Sequence, residues 1–176
     1  MEQFWFFIWE FILMVFVENA AITIPIAISV LAVIISITTA RQQNSIALFE
    51  LRYKCYSQLR TIRSFDTSIH DCEDPNLVLK MFDALWGTSI AKVSGEESLI
   101  RARCHMEIIV HDVLSREFLF RHKFDVDFAE ILKNTQEILI AATSGKVNMD
   151  AQKELHRLCE EFEKKDLHYM CRKLKL

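Results

Sequence analysis

The chain has 176 residues, with 21 Lys and Arg against 24 Asp and Glu. All the basic residues follow position 40, while the first 40 positions carry only Glu2, Glu10 and Glu18, so residues 41–176 hold 21 charges of each sign. That neutral balance argues against a dedicated polyanion-binding surface, although a local basic patch is compatible with it. Only three Gly and two Pro occur, which argues against disorder, repeats and low-complexity segments. Cys55, Cys72, Cys104, Cys159 and Cys171 are odd in number and scattered, which suits reduced thiols in a cytosolic compartment, most of them filling a core.

Residues 4–17 (FWFFIWEFILMVFV) are intensely apolar and aromatic, between Glu2 and Glu18. A secretory signal would need a basic leading region, and none is present. Fourteen residues cover only about 21 Å as a helix, and Glu10 near the middle would be costly in hydrocarbon. Trp5 and Trp9 share one helical face, and tryptophan prefers the headgroup region. Residues 1–19 therefore read as an interfacial helix on the outer leaflet or as a short second span packed within an oligomer.

The next segment, residues 20–41, contains Ala21 to Ala40 without one charge and stops at Arg41. Ten of those positions are Ile, Val or Leu. Their summed insertion free energy is about −3 to −6 kcal/mol, and twenty residues rising ~1.5 Å each match the ~30 Å hydrocarbon core. Pro25 is expected in the first turn, with Asn19 to Ile24 as a hinge. Residues 41–64 carry Arg41, Arg52, Lys54, Arg60 and Arg63 against Glu50 alone. Positive charge stays on the cytoplasmic side, so the expectation is a plasma-membrane protein with its N-terminus outside and the bulk of the chain inside.

A second pattern runs through the span. Pro25, Ser29, Ala32, Ser36, Thr39 and Gln43 recur at alternating spacings of four and three and form one small or polar stripe opposite a wall of Ile and Val. Such a stripe suits a self-association face or a water-lined pore face. The alternative is that the hydroxyls simply bond back to the preceding turn of their own helix.

No Gly or Pro interrupts residues 41–64, so the spanning helix is expected to continue directly into the cytosol. Phe49, Tyr53 and Tyr56 form one apolar line there, and Leu48, Leu51, Cys55, Leu59 and Ile62 another, which predicts burial on two sides. The block Asn44-Ser-Ile-Ala-Leu-Phe-Glu-Leu-Arg-Tyr-Lys-Cys-Tyr56, directly after one N-terminal span, resembles a recurring pattern in small bacterial membrane proteins with a helical cytoplasmic domain. The resemblance covers roughly residues 20–65. Some similar architectures serve as membrane effectors in antiphage defence, and the resemblance implies that setting without implying any functional residue.

Further along, Asp66 to Asp74 reads as a polar loop, and Asp74-Pro75 as a helix start running to Trp86 before Gly87. Ser94 or Gly95 opens a long helix with a stripe at Leu99, Ala102, Met106, Ile109 and Val113, predicted to reach about His122. Asp125 or Asp127 opens the next, with Phe128, Ile131, Leu132, Thr135, Ile138, Leu139 and Ala142 on its apolar face up to Gly145. A last helix from about Asn148 buries Ala151, Leu155, Leu158 and Phe162 and ends in a basic tail. The predicted fold is all-α, with an N-terminal interfacial or short membrane helix and one transmembrane helix continuous with a cytosolic bundle of about five helices, residues 42–176 forming the cytosolic domain.

Candidate chemistry is sparse. His156-x-x-Cys159 and His168-x-x-Cys171 offer zinc-like atoms, but on one straight helix the pairs lie about 18 Å apart and would need a break at Lys164–Asp166 to share an ion. His70 and Cys72 sit among Asp71, Glu73 and Asp74, a cluster with the atoms to bind a cation that reads more readily as a solvated turn. His105, His111 and His122 lack the H-E-x-x-H spacing, and no phosphate-binding loop, nucleophile elbow or dinucleotide fingerprint is present. The expectation is a protein that is not an enzyme and needs no metal or cofactor. Arg101, Arg103, Arg116, Arg121, His122 and Lys123 read as a solvated cationic face or as a docking patch for an anionic signal such as a nucleotide or short oligonucleotide. Two readings of function follow: a homo-oligomeric membrane effector or ion channel whose cytosolic domain senses a ligand or partner, and a membrane-anchored helical adaptor that binds a protein.

Overall fold

The computed structural model describes residues 7, 9–11, 13–14, 20–120 and 122–174. Most of residues 4–17, and with them the choice between an interfacial helix and a short second span, lie outside the described residues; those described there are helical. The fold is all-helical, with no strand among the described residues. Helix α1 spans Ala20–Ile69, α2 Pro75–Trp86, α3 Glu96–Glu117, α4 Phe128–Thr143, α5 Met149–Lys165 and α6 Leu167–Leu174, with short 3-10 turns at Ile90–Lys92 and Phe118–Phe120. The chain divides into two units, Met1–Ala47 and Leu48–Leu176.

In the first unit the helix is apolar and exposed over its described side chains. Its Ile, Val and Leu side chains from Ile22 to Ile37 are 47–64% exposed. Among the described residues this is the one helix long and apolar enough to cross a membrane. Pro25 lies inside the helix, and residues 20–24 before it are helical. The expected hinge from Asn19 to Ile24 is thus absent over its described part. The proline lacks only its own N–H, a loss that the surrounding turns absorb.

The second unit is built on the buried side of α1. Cys55, Tyr56, Leu59, Ile62, Phe65 and Ile69 are each at most 5% exposed. They join Val78, Leu79 and Phe82 of α2, Ala102, Met106, Ile109 and Val113 of α3, and the predicted apolar faces of α4 and α5 in one core. Phe65 meets Phe82 edge-on, and Phe82 stacks on Trp86 with centroids 4.4 Å apart. The Trp86 indole N–H donates to Gln58 Oε1 at 2.9 Å, so the ring's polar atom is satisfied inside the cluster. Expected burial on two sides of α1 holds only from Cys55 onward. Leu48, Phe49, Leu51 and Tyr53 are 38–47% exposed.

Helix ends follow local chemistry where the sequence supplies a cap. Asp74 accepts from Asn76 N, Asp127 from Ala129 N and Asn148 from Ala151 N, each satisfying an otherwise orphaned donor. Gly87 ends α2 at φ 66°, a left-handed conformation that suits glycine. Glu154, Arg157, Glu161 and Lys165 pair along the outer face of α5 at spacings of three and four.

Three boundaries depart from the sequence reading, and each departure has a side-chain cause. Helix α1 continues through Asp66 to Ile69 instead of opening a loop, because the Asp66 carboxylate is buried (1% exposed) and held by Arg63 Nη1 at 2.6 Å and His156 Nδ1 at 3.1 Å. Helix α3 stops at Glu117, short of His122. There Arg52 donates Nε and Nη2 to the Leu119 carbonyl at 3.0 and 2.9 Å, and Phe120 turns into the core. The last predicted helix is two, α5 and α6, divided at Asp166. The buried Asp166 carboxylate accepts from the backbone N–H groups of Asp125 and Val126 at 3.2 and 3.0 Å, drawing the connection before α4 onto the α5–α6 junction. Ser98 is also buried, whereas Leu99, expected in the core, is only half-buried.

Asp166→Ala leaves these two backbone donors without their carboxylate. The expected cost is about 1–3 kcal/mol of stability, read as a lower thermal midpoint of the full chain. Faster amide exchange at Asp125 and Val126 should accompany it, while exchange in α2 changes little.

Candidate functional site

A groove of about 630 Å³ lies between the outer side of α1 and the α5–α6 junction of the second unit. One wall carries Tyr56, Arg60, Arg63, Ser64, Thr67 and Ser68; the other comes from Phe162, Glu163, Leu167 and Cys171. A shallower hollow of about 340 Å³ adds Tyr53, Ser57 and Thr61 and shares Tyr56, Arg60 and Ser64. The polar wall arises from helical periodicity. Leu59, Ile62, Phe65 and Ile69 face the core, which turns Arg60, Ser64, Thr67 and Ser68 outward.

The two arginines differ in commitment. Arg63 gives Nη1 to Asp66 and Nε and Nη2 to Glu163 Oε2 at 3.2 and 3.1 Å. Partial burial works against its charge, but the Asp66 and Glu163 carboxylates outweigh that and hold the guanidinium more firmly protonated than usual. Arg60 is exposed and donates Nη1 to the Tyr56 hydroxyl at 3.1 Å, its one side-chain bond among the described residues. The hydroxyls of Ser64, Thr67 and Ser68 donate to the carbonyls of Arg60, Arg63 and Ser64. Their oxygens therefore present lone pairs, not protons, to the groove. The Cys171 thiol sits 3.8 Å from the Tyr56 hydroxyl. The arrangement can bind a polar or singly anionic group through Arg60, with Tyr56 and Phe162 as apolar floor.

The sequence-derived basic set is not gathered in one place. Arg101 pairs with Glu97 at 2.6 Å and Arg103 is exposed, both near the start of α3. Arg116, about 20 Å farther along the same helix, donates to Asp112 at 2.5 Å beside Lys54 Nζ at 3.1 Å. His122 stacks on Tyr169 with centroids 3.8 Å apart, Lys123 is exposed, and Arg121 lies outside the described residues. In the first unit, Pro25, Ser29, Ala32, Ser36, Thr39 and Gln43 are all exposed. The Ser29 and Ser36 hydroxyls donate to the Pro25 and Ala32 carbonyls at 2.8 Å.

The metal-like pairs separate as well. Although the chain bends at Asp166, His156 is engaged with Asp66 and stacked on His70, Cys159 is buried, and His168 is exposed. Among the described residues no three His, Cys, Asp or Glu side chains come together as metal ligands. In the turn after α1, His70 pairs with Asp71 at 3.3 Å, and Asp74 is spent as the α2 cap. Periodicity does not single out the α1–α5–α6 groove, because Arg63 and Glu163 meet across 100 residues of chain. The Ser57, Thr61, Ser64, Ser68 run on α1 is its one local signal.

Two measurements follow from these environments. Burial pushes the Cys55 thiol up to about 12 and the Cys159 thiol higher still, so both stay protonated at neutral pH. Iodoacetamide at pH 7.5 should label exposed Cys104 first and reach Cys55 and Cys159 only on unfolding, as read by peptide mass spectrometry. At Asp112, burial opposes ionisation, but the Lys54 and Arg116 hydrogen bonds prevail and hold the carboxyl below its usual range. Its folded value lies below its unfolded value, so its contribution is full above about pH 4 and is lost as pH falls through the lower folded value. Asp112→Asn should flatten the acid limb of a thermal-midpoint profile and lower stability at pH 7 by about 1–3 kcal/mol, since Arg116 loses its buried carboxylate while exposed Lys54 stays hydrated.

Neither family models, curated proteins nor solved structures yield a match to this chain, so the reading of its function rests on the residues described above.

Proposed function

We infer that the chain is a homo-oligomeric membrane effector or ion channel of the plasma membrane, whose cytosolic helical domain receives a ligand or partner and alters membrane permeability. The N-terminus lies outside and the bundle in the cytoplasm, following the basic residues after Ala40. Antiphage defence is the setting that the resemblance of residues 44–56 suggests. The observation that carries this reading is helix α1 itself, which runs from Ala20 to Ile69 and is apolar and exposed at one end and core-forming at the other. A ligand seated at Arg60 and Tyr56 would touch the same helix that crosses the bilayer, and a two-state change in bundle packing would reach the spans through it. A single span cannot line a pore, so self-association along Ser29, Ala32, Ser36 and Thr39 is part of the proposal.

The adaptor reading keeps its own support in an outward apolar row on α3, where Ile100 and Ile108 are 54% and 56% exposed on either side of Cys104. Replacing residues 1–40 by an unrelated anchor separates the two: retained cellular activity favours the adaptor, and lost activity with an intact bundle favours the effector. For the effector, purified full chain in detergent should show a defined oligomeric mass and release a small ionic dye from liposomes. Ser29→Ile with Ser36→Ile should weaken both by about tenfold with an unchanged helical signal. A monomer in detergent and in membrane cross-linking alike would sink the effector reading.

A further inference from the structure

The 3-10 turn Phe118–Phe120 is an exposed tip with unusual chemistry. Phe118 is 71% exposed, while Phe120 two residues on is fully buried. The turn is held from both sides: Arg52 of α1 donates twice to the Leu119 carbonyl, and the Tyr169 hydroxyl of α6 donates to the Phe120 carbonyl at 3.0 Å. A loose tip would bury its phenyl ring on the nearest apolar surface; this one is braced with the ring outward.

The braces also collect positive charge. Arg172 Cζ and Lys173 Nζ lie 5.5 and 5.4 Å from the Tyr169 ring centroid, and His122 stacks on the same ring. Lys173, Arg52, Phe118 and Leu48 line one hollow of about 410 Å³, and exposed Lys123 follows the turn. Of the bordering acids, Glu117 is half-buried, and Asp125 lies near Lys165. The result is an aromatic apex in a cationic collar on a chain whose residues 41–176 carry equal numbers of acidic and basic side chains.

Chain length limits where this tip can be. Leu48 follows Arg41, the first charge after the span, by seven residues. Even fully extended, that stretch reaches only about 25 Å. The hollow shared by Leu48 and Phe118 is therefore tethered within reach of the headgroup layer if residues 21–40 cross a bilayer.

We propose that this tip docks on the anionic lipid surface of the membrane that the chain itself crosses, with Phe118 entering the headgroup layer and Arg52, Lys123, Arg172 and Lys173 meeting lipid phosphates. An apolar anchor combined with clustered basic groups is the pairing that anionic bilayer surfaces select. The inference rests on the membrane span alone and is independent of oligomer formation or permeability.

The test uses the full chain in nanodiscs holding one copy each, made of phosphatidylcholine alone or with one-third phosphatidylglycerol. Amide exchange over residues 116–124 should slow at least fivefold in the anionic discs. That protection should vanish in 0.5 M NaCl and in Lys123→Glu with Lys173→Glu, and should shrink in Phe118→Ser, with exchange in α4 unchanged as the folding control. Equal exchange in both disc types would overturn the proposal. So would protection that ignores lipid charge and appears only with two copies per disc, which would assign the tip to a second chain. Recovery of the chain in the soluble fraction without detergent would remove the span, and with it both this proposal and the effector reading. A monomer that still shows charge-dependent protection would remove only the latter.

Discussion

Helix α1 has to be stable against two kinds of surroundings along one backbone. Over Ile24 to Ala47 its side chains are exposed, and its backbone groups are satisfied within the helix. Helix is the one single-segment conformation that permits this in hydrocarbon. The hydroxyls conform: Ser29, Ser36 and Thr38 each donate to a carbonyl one turn back, which removes the cost of an unpaired donor in an apolar medium. From Cys55 onward the same helix supplies a large share of a protein core, and some polar side chains of its second-unit part bind other segments. Arg52 to Leu119, Gln58 to Trp86 and Asp66 to His156 are three such ties.

Buried or half-buried carboxylates do much of the organising in the second unit. Asp83 accepts from the Ile90 and Ala91 backbone N–H groups at 2.8 and 2.9 Å and from the Thr88 hydroxyl, which shapes the turn after α2. Asp166 does the same for the segment before α4. Asp112 instead joins Lys54 of α1 to Arg116 of α3, and Asp66 joins Arg63 to α5. A carboxylate can be kept in such places only where donors replace its lost water. These four residues consequently tie loops and helices that hydrophobic contact alone would leave free to slide.

This explains what could be read from the sequence. The caps at Asp74, Asp127 and Asn148 and the stop at Gly87 are local, set within about three residues, and they stand where expected. The apolar faces of α4 and α5 follow from a 3.6-residue period and are equally legible. The end of α3, the helical state of Asp66 and the break at Asp166 were not legible, since each depends on a partner 40 to 90 residues away. A lone Asp in a run of polar residues looks like loop; the same Asp facing an arginine and a histidine is core. The groove at Arg60 escaped for the same reason, its far wall coming from Phe162 to Cys171. The exposed Ile100 and Ile108 hid behind a second, stronger stripe on α3.

The local hydrogen bonding of the span also constrains the proposed assembly. With the Ser29 and Ser36 protons already donated within the helix, a facing helix meets acceptor oxygens at these two positions and a low profile at Ala32. Close packing of small residues is then the main attraction, and polar contacts between membrane helices average only about 0.6 kcal/mol. Spans joined that weakly separate readily unless something else holds them near one another. The exposed apolar residues just beyond the span, Ile46, Leu48, Phe49 and Tyr53, are placed by sequence to add such contacts. A modest change in the second unit would be enough to tip a marginal equilibrium between separate and assembled spans, because a shift of only about 1.4 kcal/mol changes the ratio tenfold. Weak association in the bilayer is thus a requirement of the proposed switch, and stronger interhelical glue would leave the cytosolic domain nothing to control.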